Sequence, residues 1–152
     1  HSSDNVVRFN TIIDSNGALV CRTGNRNLLL GNWIERARGI RINDAEHRLI
    51  GNRLIDCREG IWLLAGERGE YNRGTRKSRA YRCLLAGNES TDLVVGKTYD
   101  GPALPAKDNR IEAHRGPIAL EFEEGTVIVP TTQEPLPEVR KLGRRDVGPD
   151  AA

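Results

Sequence analysis

The sequence predicts an all-β solenoid, a right-handed parallel β-helix of about five turns, and three observations carry that prediction. Asparagines recur at Asn10, Asn32, Asn52, Asn88 and Asn109, at intervals of 22, 20, 36 and 21 residues. A glycine follows most of them seven or eight positions later, at Gly17, Gly39, Gly60 and Gly116. Each glycine opens a short apolar strand with period-two alternation: GALVC, GIRIN, GIWLL and GPIAL. Leucine-rich repeats share a similar period, but their leucine consensus is missing.

Stacked coils sit about 4.8 Å apart, so residues one period apart line up in columns. A column of asparagines can bond its amides from turn to turn at the corner between strands. Glycine supplies the backbone angles that a tight corner demands. The 36-residue interval is one turn plus an insertion, placed at residues 67–80 (ERGEYNRGTRKSRA), which is polar and strongly basic. It reads as a loop projecting from the third turn. The turns therefore span 1–129. Beyond residue 130 the pattern stops. Four of the seven prolines, with Arg140, Lys141, Arg144 and Arg145, mark 130–152 as an extended C-terminal tail, a candidate cover for the last turn.

Composition agrees. With 152 residues the chain can enclose one continuous core. Aromatics make up only 5% and Met is absent, so the core must be built from Val, Ile and Leu in repeated layers. A net charge of +2 gives no strong global field. Without an aromatic–basic motif, that balance argues against a nucleic-acid partner. Cys21, Cys57 and Cys83 are odd in number and unclustered, which fits neither a metal site nor a disulfide scaffold. No apolar run is long enough for a membrane span. The chain opens at His1 with no signal-peptide pattern, as expected of a processed chain or a piece of a longer one. Only four of the 23 basic residues are Lys, and the Arg excess suits recognition of carboxylates and sulfates, though genomic base composition produces the same bias.

The register also places side chains. In GALVC, Leu19 and Cys21 point inward and Val20 and Arg22 outward. One turn on, Ile40 and Ile42 lie inside with Arg41 outside above Val20. Another turn puts Ile61 and Leu63 inside and Trp62 outside above Arg41, an arrangement suited to cation–π packing. One turn below Arg22 is residue 1, so His1 and Arg22 are expected as outward neighbours about 5 Å apart at the backbone. Outward cations on such a sheet are ordinarily solvated surface residues.

The segment SSDNVVRFNTIIDSNGALVCRTGNRNLLLGNWI, followed by GIRINDAEHRLIGNRLID, resembles the catalytic core of polysaccharide lyase family six, the alginate lyase and chondroitinase B family, whose fold is a pectate-lyase-like solenoid. The resemblance covers residues 1 to about 66, and the later turns only in architecture. It implies cleavage of uronic-acid polysaccharides by β-elimination. Calcium neutralises the uronate carboxylate, a Lys removes the C5 proton, and an Arg one turn further on acts as the acid toward the leaving oxygen. Carried over by position, Arg22 matches the catalytic Arg. His1 stands at the place of the Lys, and an imidazole can serve as a base near neutral pH. Thr23 stands where relatives often have His. Arg41 matches an Arg of the family's Gly-Gly-Ile-Arg strand and is expected to hold a substrate carboxylate. Arg68, with Arg73, Arg76, Lys77 and Arg79 of the inserted loop, is expected to help hold the polyanion, or else to be plainly solvated.

The family's calcium ligands lie upstream of the Lys, so calcium is expected as cofactor of the intact family member with no ligands from this chain. The isolated chain is expected to be weakly active or inactive. The implied partner is an anionic polysaccharide, alginate or a glycosaminoglycan, with no nucleic acid and no membrane, and the implied location is secreted or periplasmic. A catalytically silent β-helix that binds polysaccharide or acts as a scaffold is the alternative. His1 and the missing calcium ligands favour it.

Overall fold

A strand of three or four residues is too short to stand alone, and each strand here is completed by its counterparts one turn away. The computed structural model describes residues 3–21, 24–67, 79–98, 102–130 and 139–141. Three parallel sheets run along the coil axis. The first stacks Val6–Arg8, Leu28–Leu30, Arg48–Ile50, Leu84–Ala86, Arg110–Glu112 and Val127–Val129. The second stacks Thr11–Ile13, Trp33–Glu35 and Arg53–Ile55, then continues as single bridges through Glu89 and Arg115. The third stacks Ala18–Cys21, Gly39–Ile42, Ile61–Leu64, Leu93–Lys97, Ile118–Leu120 and Val139–Lys141. The chain is a parallel β-helix.

The registers confirm the column placement residue by residue. Leu19 pairs with Ile40, Val20 with Arg41 and Cys21 with Ile42. Ile40, Arg41 and Ile42 pair in turn with Ile61, Trp62 and Leu63. The inward members form one continuous core in which Leu29, Leu49, Leu85 and Ile111 of the first sheet meet Ile40, Ile61, Leu93 and Ile118 of the third, all with at most 1% of their surface exposed. Burying a branched aliphatic side chain contributes about 1.5–3 kcal/mol, so these layers outweigh any single polar contact.

Turn length is far less regular than the interval between asparagines suggests. Val6, Leu28, Arg48, Leu84, Arg110 and Val127 share one column, so successive turns take 22, 20, 36, 26 and 17 residues. Asn109 is consequently not the fifth member of the Asn10 column. That column runs Asn10, Asn32, Asn52, Asn88 and then His114, since Leu84–Ala86 pairs with Arg110–Glu112 and Glu89 bridges Arg115. Each asparagine Nδ2 donates to the Oδ1 of the next, at 3.1, 2.8 and 3.0 Å, and each backbone N–H donates to the same oxygen. The residue just before each rung is left-handed: Phe9, Gly31, Gly51, Gly87 and Ala113, with φ between 51° and 66°. Asn109 belongs to a second polar corner shared with Asn5, Asn27, His47 and Cys83, where its Oδ1 accepts from the Cys83 N–H at 2.9 Å. The spacing of 21 residues from Asn88 to Asn109 is a coincidence of an elongated turn.

Of the inserted loop, residues 68–78 lie outside the described residues. The strand that leads into it, Gly66–Glu67, pairs antiparallel with Pro102–Leu104, a segment of the 26-residue turn. Within the segment expected to be an extended tail, Val139–Lys141 pairs in parallel with Ile118–Leu120 and adds a sixth strand to the third sheet. Among the described residues there is no helix, hence none long and apolar enough to cross a membrane.

Candidate functional site

The outward column of the third sheet begins Val20, Arg41, Trp62, Val94 and Ala119. Val20 is 47% exposed, whereas Trp62 is buried to 1% in a second apolar cluster with Leu64, Val94 and Ala119. Outward on this sheet therefore does not mean solvated. The Arg41 guanidinium lies 5.3 Å from the Trp62 ring centroid, and the Lys97 ammonium, 3% exposed, lies 4.8 Å from it. Trp62 Nε1 donates to Asp92 Oδ2 at 3.3 Å, which fixes the indole in its plane.

Arg41 is held by a residue that its own column does not contain. Glu59, 2% exposed, accepts from Arg41 Nε and Nη2 at 2.7 Å each, and from Arg38 Nε at 2.5 Å. A buried carboxylate is costly unless paired, and two guanidiniums satisfy both of its oxygens. The three side chains together keep one net positive charge. Glycine makes the approach possible: a Cβ at Gly39, whose φ is 126°, would sit 2.4 Å from the Gly60 carbonyl oxygen and 2.7 Å from that of Glu59. Two turns touch backbone to backbone there, and this sets Glu59 beside Arg38 and Arg41.

Of the residues expected at a catalytic site, Arg41 is where the register put it, stacked on Trp62 and additionally clamped. His1, Arg22, Thr23 and Arg68 lie outside the described residues, as do Arg73, Arg76 and Lys77. Arg79 is described and its guanidinium lies 5.3 Å from the Tyr81 ring centroid. Sequence reasoning passes over Glu59. It contacts Arg41 across a diagonal of 18 residues, which a one-turn offset does not visit, although its place before Gly60 in the REGIW segment is a usable signal.

Two histidines are buried in the polar corners. His47 Nδ1 accepts from the Asn27 N–H at 3.2 Å and Nε2 donates to the Asn43 carbonyl at 2.8 Å, so both ring nitrogens are used and burial lowers the proton affinity. Burial alone pushes His114 down to about 4. Its Nε2 lies 3.4 Å from Ser90 Oγ, while Nδ1 is buried without a partner.

A family model described as periplasmic copper-binding protein (NosD) matches residues 1–73. Among solved structures, a mannuronic acid specific polysaccharide family 6 lyase from human gut microbiota superposes with a TM-score of 0.63 and 25% identity. The match covers 84% of this chain but 31% of the lyase, so the chain spans about a third of that enzyme's length. No curated protein matches.

Neither the calcium that the sequence resemblance implies nor the copper in the family model's description finds a ligand set among the described residues. Calcium needs several converging oxygens. Here Asp4 is engaged by Arg26, Asp14 by Arg36 and Glu59 by two arginines, and among the described residues no three His, Cys, Asp or Glu converge. Copper favours imidazole and thiolate. Both His47 nitrogens are occupied, burial raises the Cys21 and Cys83 thiols to about 11 and about 12, which keeps them protonated, and among the described residues neither His114 nor Cys57 converges with two further ligands. What geometry and comparison share is architecture: the chain is a parallel β-helix of the polysaccharide-lyase kind.

Proposed function

We propose that this chain supplies substrate-facing turns of a lyase that cleaves a uronic-acid polysaccharide, alginate foremost, by β-elimination outside the cytoplasm. The observation that carries the reading is the clamped Arg41 on the third sheet, on a fold 25% identical over 84% of the chain to a mannuronate-specific lyase. In this reading the C5–H bond breaks and its proton passes to a base, His1 by position. The electron pair forms the C4=C5 double bond. The C4–O bond breaks, and the leaving oxygen takes a proton from Arg22.

The proton at C5 is weakly acidic until the adjacent carboxylate is neutralised. Arg41 uses Nε and Nη2 on Glu59, and its remaining edge, with the net positive charge of the Arg38–Arg41–Glu59 group, supports a place for that carboxylate. Arg68 on the inserted loop would hold a neighbouring uronate. Calcium, in a protein that carries its ligands, would supply further neutralising charge.

The test is incubation of the full-length protein that carries these turns with alginate, polymannuronate and dermatan sulfate, with and without calcium, while following the ultraviolet absorbance of unsaturated uronate. The reading requires a rise with at least one polymer and its loss in Arg22→Ala. Absence of that chromophore from every polymer sinks the enzyme reading and leaves a polysaccharide-binding or scaffolding solenoid.

A further inference from the structure

The coil changes calibre halfway along, and the step leaves a notch on the flank of the second sheet. From ladder rung to the residue level with Gly39 there are eight residues in the first turn (Asn10 to Ala18), seven in the second and eight in the third (Asn52 to Gly60). The fourth turn takes four, Asn88 to Asp92, and the fifth three, His114 to Pro117. The second sheet accordingly dwindles to single bridges at Glu89 and Arg115, and the wider third turn protrudes beneath. A cavity of about 410 Å³ opens at this step.

Its chemistry is of two kinds. Ile55 and Pro117, both part-buried, give it apolar surface. Around them stand Arg53, Glu89, Arg115 and Asp56, two cations and two carboxylates with no net charge. Arg53 is held in place: its Nε lies 2.6 Å from Glu89 and its guanidinium 5.0 Å from the Trp33 ring centroid. A charge-balanced rim offers no net attraction to a phosphate or a metal ion. It does offer adjacent donors and acceptors, which is what neighbouring hydroxyls on a ring require, while the apolar surface accepts the ring's C–H face. The volume lies at the small end of the usual range for ligand sites, roughly 300–1,000 Å³, and holds one or two pyranose rings.

We infer that this notch is a saccharide-binding subsite for an uncharged, hydroxyl-rich pyranose, separate from the Arg41 face. It does not depend on the lyase reading, because none of its residues belongs to the Arg41–Glu59 group.

The experiment is a titration of the 152-residue chain, uniformly labelled with nitrogen-15, with methyl α-mannopyranoside and methyl β-glucopyranoside, and separately with inorganic sulfate. Saturable amide shifts confined to Ser90, Thr91, Arg115 and Gly116 are expected with at least one glycoside. Thr91 is exposed at the rim, so Thr91→Trp fills the notch without touching the core and should weaken binding at least tenfold. Arg53→Ala, a milder second variant, should weaken it several-fold. No shifts with either glycoside, shifts on the Val20–Arg41 face, equal binding by sulfate, or wild-type affinity in Thr91→Trp would each overturn the inference. Loss of binding in Thr91→Trp, with uronate cleavage retained when the same substitution is made in the full-length protein, separates this subsite from the proposed catalytic face.

Discussion

Replacing His114 with asparagine should finish a ladder that the chain leaves one rung short. Asn10, Asn32 and Asn52 each donate twice to the Oδ1 of the rung above, from the backbone N–H and from Nδ2. At the level above Asn88 stands an imidazole whose Nδ1 has no partner. An asparagine Oδ1 there would accept from Asn88 N–H and Nδ2. Two buried hydrogen bonds are worth about 2 kcal/mol together, and removing an orphaned nitrogen adds to that. Loss of ring packing subtracts a comparable increment, so a net gain of about 1 kcal/mol is expected at pH 7.5.

Acid makes the difference larger. His114 is held at about 4 against an ordinary 6.5, so the unfolded chain binds more protons than the native one between those values. Its folded pKa is depressed, hence full stability is present above pH 6.5 and is lost as pH falls toward 4. At pH 4.5 the loss amounts to about 2.5 kcal/mol. The substituted amide takes up no proton in this range. Urea unfolding at pH 7.5 and pH 4.5 should therefore show His114→Asn ahead by about 1 and about 3.5 kcal/mol respectively. The other acid-sensitive groups, His47, Asp4 and Asp14, are common to both proteins and cancel in the difference. A gap between the two proteins that does not widen on acidification refutes this account of His114.

Three further outcomes follow from the packing. Glu59→Gln leaves two guanidiniums sharing a neutral amide; with Arg38 and Arg41 part-exposed the expected cost is about 2–3 kcal/mol, read by urea unfolding, with altered near-ultraviolet circular dichroism from Trp62. Gly60→Ala places a Cβ 1.9 Å from the Asp92 carbonyl oxygen and should cost more than about 4 kcal/mol or prevent folding, whereas Gly51→Ala, left-handed but in open space, should cost only about 1–2 kcal/mol on the same assay. At pH 8 in the native state, iodoacetamide should leave Cys21 and Cys83 unmodified because burial keeps them as thiols; half-buried Cys57 is the first to react, and mass spectrometry after urea treatment should show all three alkylated.

The solenoid is legible because columns repeat chemistry. An inward Ile or Leu recurs through five levels of the third sheet, from Leu19 to Ile118, and Arg41 and Trp62 can be stacked by adding one period. What the period does not reveal is its own variation. Spacing alone misplaces Asn109 because a 26-residue turn carries an asparagine 21 residues after Asn88, and the true fifth rung is a histidine, invisible to a search for asparagine. Glu59 escapes for a different reason: a long side chain reaches across neighbouring columns, and only coordinates show which diagonal it takes. The narrowing after the third turn is hidden in the same way, since it is a matter of where residues are missing between columns and not of which residues remain.

The left-handed residues that precede each rung have a consequence for how such a chain can grow. Phe9, Gly31, Gly51, Gly87 and Ala113 bend the backbone alike at five successive storeys, so the segment from one bend to the next is a self-contained cassette. Duplicating residues 31–50 in tandem would deliver a fresh storey with its own bend, rung and core layer, lengthening the tower by about 4.8 Å without retuning the floors on either side. Copy number, in this architecture, is nearly free to drift.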